Sequence, residues 1–218
     1  MMRVCQRVSA RKSIRLKQYD YSRVGAYFVT ICSDERKNCF GEIVYGRMKL
    51  SPIGEIAKSC WIKITEHFSN VLLDKYVIMP NHVHGMIIIH GRGADGAGTD
   101  NPELNDVVGA QYDVVGAQYI EPLHRKEQNR YQHIIPQSLG SIIRSYKSAV
   151  TRLCHRNFLT FFKWQRNYYE RVIRNEQEMH ALRLYITNNP LQWELDRENC
   201  NSRNFNIDFD VYFEDVFT

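Results

Sequence analysis

Apolar residues along this chain fall into short runs and regular stripes, each closed by residues that turn or stop the backbone. Tyr27-Phe28-Val29-Thr30-Ile31-Cys32 is a run of β-formers followed by the polar Ser33-Asp34-Glu35-Arg36, which predicts a strand and its loop. A second short strand is predicted from Phe40 to Val44, and Gly46 fits a turn before Met48-Lys49-Leu50. Ser51-Pro52 then opens a helix, since serine caps well and proline is tolerated at the first helical position. Ile53, Ile56, Ala57, Cys60, Ile64 and Phe68 recur at helical spacing and make its core stripe. Val71 to Met79 and His82 to Ile89 are two apolar β runs parted by Pro80-Asn81.

The pattern lapses from Gly91 to about Ile135. This stretch is rich in Gly, Ala, Asp and Asn, and Asp106-Val107-Val108-Gly109-Ala110-Gln111-Tyr112 is repeated at once as residues 113–119. A seven-residue tandem copy is too short for a solenoid, whose repeats run to about 20 residues or more. It reads as a disordered surface insertion (91–135) that interrupts one domain rather than separating two. Helical periodicity returns near Ser138. Ile142, Ile143, Tyr146, Val150 and Leu153 share one side, with Arg144, Lys147, Arg152 and Arg156 on others. Phe161 to Tyr169 predicts a strand or extended segment. Asn175 with Glu178 gives a capping-box pattern, Met179, Leu182 and Ile186 form the stripe of a last helix, and Pro190 ends it.

Composition narrows the class. With 218 residues, 44% hydrophobic and 24% charged, the chain suits one soluble domain with tails. No run nears the roughly 18 apolar residues of a membrane span, and no secretory segment precedes the domain, so no membrane association is expected. Six scattered cysteines without a Cys-x-x-Cys pair suggest reduced thiols and a cytoplasmic protein. The formal charge is +5. Its distribution matters more: six cations from Arg3 to Lys17 come before the first acid, Asp20, giving a basic arm over residues 1–20. The domain is placed at 21–195, and 196–218 forms an acidic, aromatic tail with Asp208, Asp210, Glu214 and Asp215. A basic arm with basic helices is the footprint of a polyanion binder, while any single cation is adequately explained as solvated surface. The tail carries the opposite charge and reads as a disordered or loosely packed tail, or as a mimic of the polyanion docked on the basic surface.

Two clusters carry candidate chemistry. His82 and His84, one residue apart on a predicted strand, point to the same face with Val83 toward the core. Two neutral imidazoles so placed can hold a divalent cation if a third ligand arrives from elsewhere; equally, they can be core-edge histidines satisfied by water or a carboxylate. On the last helix Tyr185 and Asn189 are four residues apart and therefore neighbours, both outside the stripe of Met179, Leu182 and Ile186. They read as a nucleophile beside a ligand, or as an edge tyrosine and a helix-closing asparagine.

The string Tyr76-Val77-Ile78-Met79-Pro80-Asn81-His82-Val83-His84, followed by Trp164-Gln165-Arg166-Asn167-Tyr168-Tyr169-Glu170 and Tyr185-Ile186-Thr187-Asn188-Asn189-Pro190, resembles the single-tyrosine transposases of the His-hydrophobic-His endonuclease superfamily. Within them it is most similar to the REP-associated tyrosine transposases, and the resemblance runs from about Tyr27 to Leu191 apart from the insertion. It implies an α+β, ferredoxin-like (RRM-like) domain with an antiparallel sheet and helices packed on one face. It also implies an enzyme that cuts and rejoins single-stranded, hairpin-forming DNA through a 5′-phosphotyrosine with Mg²⁺ or Mn²⁺. His82 and His84 then match the metal pair and Tyr185 the nucleophile, with Tyr168 or Tyr169 in reserve. Asn189 takes the third-ligand place where related transposases commonly carry glutamine, with Asn188 as the fallback, and His180 is a candidate helper. Arg144, Lys147 and Arg166 are the expected phosphate contacts, and Trp164 and Tyr168 the expected base-stacking residues. The resemblance leaves open a homodimer in which the tyrosine helix serves the partner's site. The rival reading is an RRM-like nucleic-acid-binding protein derived from such an enzyme and no longer catalytic.

Overall fold

The computed structural model describes residues 23–91, 135–202, 204, 207 and 211. The basic arm, nearly all of the 91–135 insertion and most of the acidic tail lie outside the described residues. In chain order the elements are β1 (Gly25–Cys32), β2 (Gly41–Val44), β3 (Arg47–Leu50), α1 (Pro52–Ile62), α2 (Ile64–His67), β4 (Val71–Ile78), β5 (His82–Ile89), α3 (Leu139–Arg156), β6 (Tyr169–Ile173) and α4 (Glu176–Asn188), with single 3₁₀ turns at Asp34–Arg36 and Trp193–Leu195.

Four strands make an antiparallel sheet in the order β4-β5-β1-β6, while β2 and β3 form a separate hairpin. With α1 between β1 and β4, and α3 between β5 and β6, this is the ferredoxin-like arrangement of an α+β fold. The helix starts follow their local chemistry. Ser51 Oγ accepts from Gly54 N at 3.1 Å, with Pro52 opening α1. Ser138 Oγ accepts from Ser141 N at 3.3 Å, and Asn175 Oδ1 from Glu178 N at 2.8 Å. Each such cap satisfies a backbone donor that the helix leaves unpaired. One expectation shifts. Within 161–169 only Trp164 makes a bridge, to Ser33, and the strand proper begins at Tyr169. Phe162 and Trp164 are taken up by packing against Phe40, so the free edge of β1 is filled by the residues that follow.

Strand alternation sorts the sheet into two faces. Tyr27, Val29 and Ile31 of β1 and Val83, Ile87 and Ile89 of β5 face the main core, where α1 and α3 bring Ile53, Ala57, Trp61, Ile142, Ile143 and Val150. Trp61, fully buried, lies where a side chain at residue 85 would stand: a Cβ on Gly85 would come within 2.1 Å of its indole. The opposite face carries a second cluster, in which Phe28, Met86, Tyr169 and Ile173 meet Leu182, Tyr185 and Ile186 of α4. The helices expected on one face are α1 and α3, and α4 adds a layer on the other. A wide stripe that takes in Tyr185 as well as Leu182 and Ile186 is what holds it there. The Arg183 guanidinium also grips both oxygens of Asp74 on β4, at 3.0 and 3.2 Å from Nε. Among the described residues no helix is long and apolar enough to cross a membrane.

Gly85→Ala is expected to destabilise the fold by about 1–3 kcal/mol through overpacking against Trp61. Chemical denaturation would measure the loss, and Gly85→Ala combined with Trp61→Phe should recover part of it if the indole is the obstacle.

Candidate active site

His82 and His84 open β5 and project, with Met86, onto the α4 face, while Val83 between them is buried in the main core. Their ring centroids are 4.2 Å apart and both side chains are almost wholly withdrawn from solvent. The orientation of each ring is fixed from behind. Asn81 donates through Nδ2 to the carbonyls of Arg36 (3.2 Å) and Glu198 (2.8 Å), which turns its Oδ1 toward His82 Nδ1 at 2.8 Å. An acceptor there requires the proton on Nδ1, leaving the lone pair on Nε2. That Nε2 is buried with no hydrogen-bond partner. His84 Nδ1 lies 2.9 Å from Thr30 Oγ1, its cross-strand neighbour on β1. Burial, and then the neighbouring His84, push the His82 pKa down to about 3, so its imidazole is neutral near pH 7.

The third member of the cluster comes from beyond α4. Asp196, buried and just past the Trp193–Leu195 turn, places Oδ2 4.0 Å from His82 Nε2 and 3.9 Å from His84 Nε2. Tyr185 hydroxyl is 3.2 Å from His84 Nε2 and donates to the same Asp196 oxygen at 3.3 Å. Asn189 Nδ2 donates to it at 2.8 Å, and its own Oδ1 is buried without a partner. Ligand atoms of His82, His84 and Asp196 lie within 4.8 Å of one another. Two imidazole nitrogens and a carboxylate make a borderline-hard donor set that suits Mg²⁺, Mn²⁺ or Zn²⁺, and the unpartnered His82 Nε2 is what such a set needs.

The carboxylate was not legible as part of the site, because 196–218 reads as tail. The structure moves that boundary. Asp196, Arg197, Glu198, Asn199 and Ser202 are buried, so the domain continues at least through Ser202. The reason is Glu198, which is fully buried, pairs with Arg36 and Arg197, and accepts from Cys32 Sγ at 3.3 Å. Burial pushes its carboxyl up, but Arg36 and Arg197 more than offset this and hold it at about 2. The backbone N–H of Glu198 in turn donates to Asp196 Oδ1 at 2.6 Å.

The other sequence-nominated residues divide. Tyr185 is not the outward-facing residue its offset from the stripe suggests: it is 6% exposed, packed edge-on to Phe28, and its hydroxyl enters the cluster. Asn189 joins the cluster through its Nδ2, which donates to Asp196. Asn188 and His180 are exposed and line an open groove of about 620 Å³ along α4 that also reaches Tyr185 and Gln192. Tyr169 is buried, edge-on to Phe28. Arg144 and Arg166 are exposed, whereas Lys147 is half-buried. Lys147 Nζ donates to the carbonyls of Gln165 (2.6 Å) and Arg166 (3.3 Å), and burial lowers its pKa to about 8. Trp164 packs on Phe40, Tyr146 and Phe162 and donates to the Lys147 carbonyl, so it serves the core edge. Tyr168 is half-buried at the margin of the main core. Among the described residues Cys32, Cys39, Cys60 and Cys154 are free thiols.

No family model matches the sequence. A Haemophilus influenzae protein described as uncharacterized is 37% identical to it over 187 residues, which cover 86% of this chain and 92% of that protein. The chain belongs to the same family. Among solved structures, this family member is similar to a REP-associated tyrosine transposase bound to a REP hairpin (17% identity, TM-score 0.49, 83% of this chain and 74% of that one). It is also similar to a putative transposase from Deinococcus radiodurans (15% identity, TM-score 0.35, 82% and 97%). Likeness at that level assigns no residue roles.

Glu198→Gln is expected to cost about 3–5 kcal/mol, since it leaves Arg36 and Arg197 buried without their counter-charge. Because the folded carboxyl titrates at about 2, below its unfolded value near 4.5, its contribution is complete above pH 4.5 and fades as pH falls toward 2. Thermal melts between pH 2 and 7 should therefore show the wild type losing stability on the acid side more steeply than Glu198→Gln.

Proposed function

We propose that this protein is a transposase-like, metal-dependent endonuclease and strand transferase acting on single-stranded, hairpin-forming DNA, with Tyr185 as the nucleophile. The observation that carries the reading is the Tyr185 hydroxyl, 3.2 Å from His84 Nε2 and 3.3 Å from Asp196 Oδ2, inside a buried cluster in which His82 Nε2 has no hydrogen-bond partner. The order and wording of the three sequence motifs support it independently. An edge tyrosine on a core histidine would have no need of a second imidazole with an unpartnered lone pair and a buried carboxylate, their ligand atoms within 4.8 Å of one another.

In this reading His82, His84 and Asp196 hold the metal, with Asn189 orienting the carboxylate. When bound, Mg²⁺ or Mn²⁺ would neutralise phosphate charge and favour ionisation of a phenol whose ordinary pKa is about 10. Tyr185 attacks phosphorus: the Oη–P bond forms, the P–O3′ bond breaks, and the proton lost by the phenol is balanced by the one gained at the departing 3′ hydroxyl. The phosphotyrosine conserves the phosphoester energy, so a second 3′ hydroxyl can reverse the step and join new ends without ATP. Thr30 and Asn81 fix the two imidazoles from behind, and Phe28 holds the phenol edge-on, so the reacting group is positioned before DNA arrives. The groove along α4 that reaches Tyr185, Asn188 and Gln192 is the approach for the scissile phosphate.

Tyr185→Phe should abolish covalent protein–DNA adducts on hairpin-flanked single-stranded DNA with Mn²⁺ while changing oligonucleotide affinity by less than about threefold. Adducts that persist in this variant, seen as a shifted band on denaturing gels, would refute Tyr185 as nucleophile; binding without adducts in the wild type would favour the non-catalytic reading. Asp196→Asn and His82→Ala should each weaken Mn²⁺ binding at least tenfold by calorimetry, the loss expected when a ligand is removed.

A further inference from the structure

The loop that leaves α3 spends conformational energy on two side chains the core does not use. After the Asn157 cap, Phe158 N donates to His155 O (3.1 Å) and Leu159 N to Cys154 O (2.9 Å). This is a helix-ending reversal whose left-handed residue is ordinarily glycine. Here that residue is Phe158, at φ 61 and 92% exposed. The backbone is strained by a side chain that buries almost nothing in return. Three residues on, Phe161 is 69% exposed. Leu159 and Phe162, by contrast, turn inward against the main core. The loop is thus anchored by Leu159 and Phe162 and presents Phe158 and Phe161 to solvent.

The surroundings say what such a pair would meet. From Ser138 to Tyr169 the sequence has six lysines and arginines and not one Asp or Glu. Arg156 and Lys163, both exposed, bracket the aromatic pair. The loop also leads to the candidate site: Lys163 O accepts from Asp34 N at 2.9 Å and Gln165 N donates to Cys32 O at 2.9 Å, Cys32 being the β1 residue opposite His82. Aromatic faces flanked by cations bind unpaired bases by stacking while the cations meet the phosphates.

We propose that Phe158 and Phe161 form a stacking site for unpaired nucleotides of single-stranded DNA, with Arg156 and Lys163 on the adjoining phosphates. This deepens the function proposed above and rests on it. The test is fluorescence anisotropy with a labelled single-stranded oligonucleotide in EDTA, alongside thermal melts, for wild type, Phe158→Gly, Phe161→Ser and the double variant. Phe158→Gly should keep or raise the melting temperature, because glycine relieves the left-handed strain, yet weaken binding about fivefold or more. The double variant should lose more than tenfold, while Tyr45→Ser, at an equally exposed aromatic on the β2–β3 turn, should leave affinity unchanged. Affinity within twofold of wild type in the double variant would reject the stacking site and leave Tyr185 chemistry standing if adducts still form. Loss of a dimer in light scattering without loss of DNA affinity would identify a second copy as the occupant and overturn the proposal. A wild-type protein that binds no single-stranded DNA at all would sink both readings.

Discussion

A carboxylate cut off from water must have each of its oxygens answered by a donor or a cation, and two such groups two residues apart determine how this chain closes. Glu198 is met by Arg36, Arg197 and Cys32, and its backbone N–H is met by Asp196. Asp196 in turn is met by Asn189 and Tyr185 on one oxygen. Taking these charges out of water is expensive, and only their mutual arrangement makes the segment after α4 fold down rather than trail into solvent. Once it is down, the cluster at the end of β5 exists. Without it, two histidines would face a helix and nothing more.

That dependence explains several features that look separate. The two consecutive left-handed residues Glu35 and Arg36 are held where an ordinary loop would relax, because the Arg36 guanidinium reaches Glu198 and its carbonyl receives Asn81. Asn81, gripping both that carbonyl and the one of Glu198, has only its oxygen left for His82. A strained turn, a buried ion pair and the tautomer of one imidazole are therefore a single piece of chemistry. The site inherits its orientation from a network whose members never approach a substrate.

The sequence disclosed the parts that obey local rules. Alternation on β5 placed both histidines on one face and Val83 on the other, and the caps at Ser51 and Asn175 marked their helix starts within a residue. Tyr185 was read by its offset from Met179, Leu182 and Ile186, yet Leu182, Tyr185 and Ile186 are themselves spaced three and one apart, and a wider stripe would have turned the tyrosine inward. Asp196 gave no local signal at all. An Asp-Arg-Glu triplet after a proline-terminated helix looks like solvated charge, and only the partners brought by Arg36 and His82, more than a hundred residues earlier, make it interior. The strand or extended segment expected over Phe161 to Tyr169 gives one isolated bridge at Trp164, and β6 begins only at Tyr169, for a similar reason: which aromatic pairs with β1 and which fills the core is settled by Phe40, not by neighbours in sequence.

The point at which β5 ends has its own significance. His82 and His84 stand at the first residues of the strand, and the chain departs toward the duplicated stretch only after Ile89, roughly 23 Å of extended backbone away. Every hydrogen bond that orients the imidazoles is made at the near end, by β1, the Pro80-Asn81 corner and the segment after α4. A change confined to the last residues of β5 therefore breaks none of the hydrogen bonds that hold the ligand atoms, so the far end of the strand is mechanically uncoupled from its chemistry.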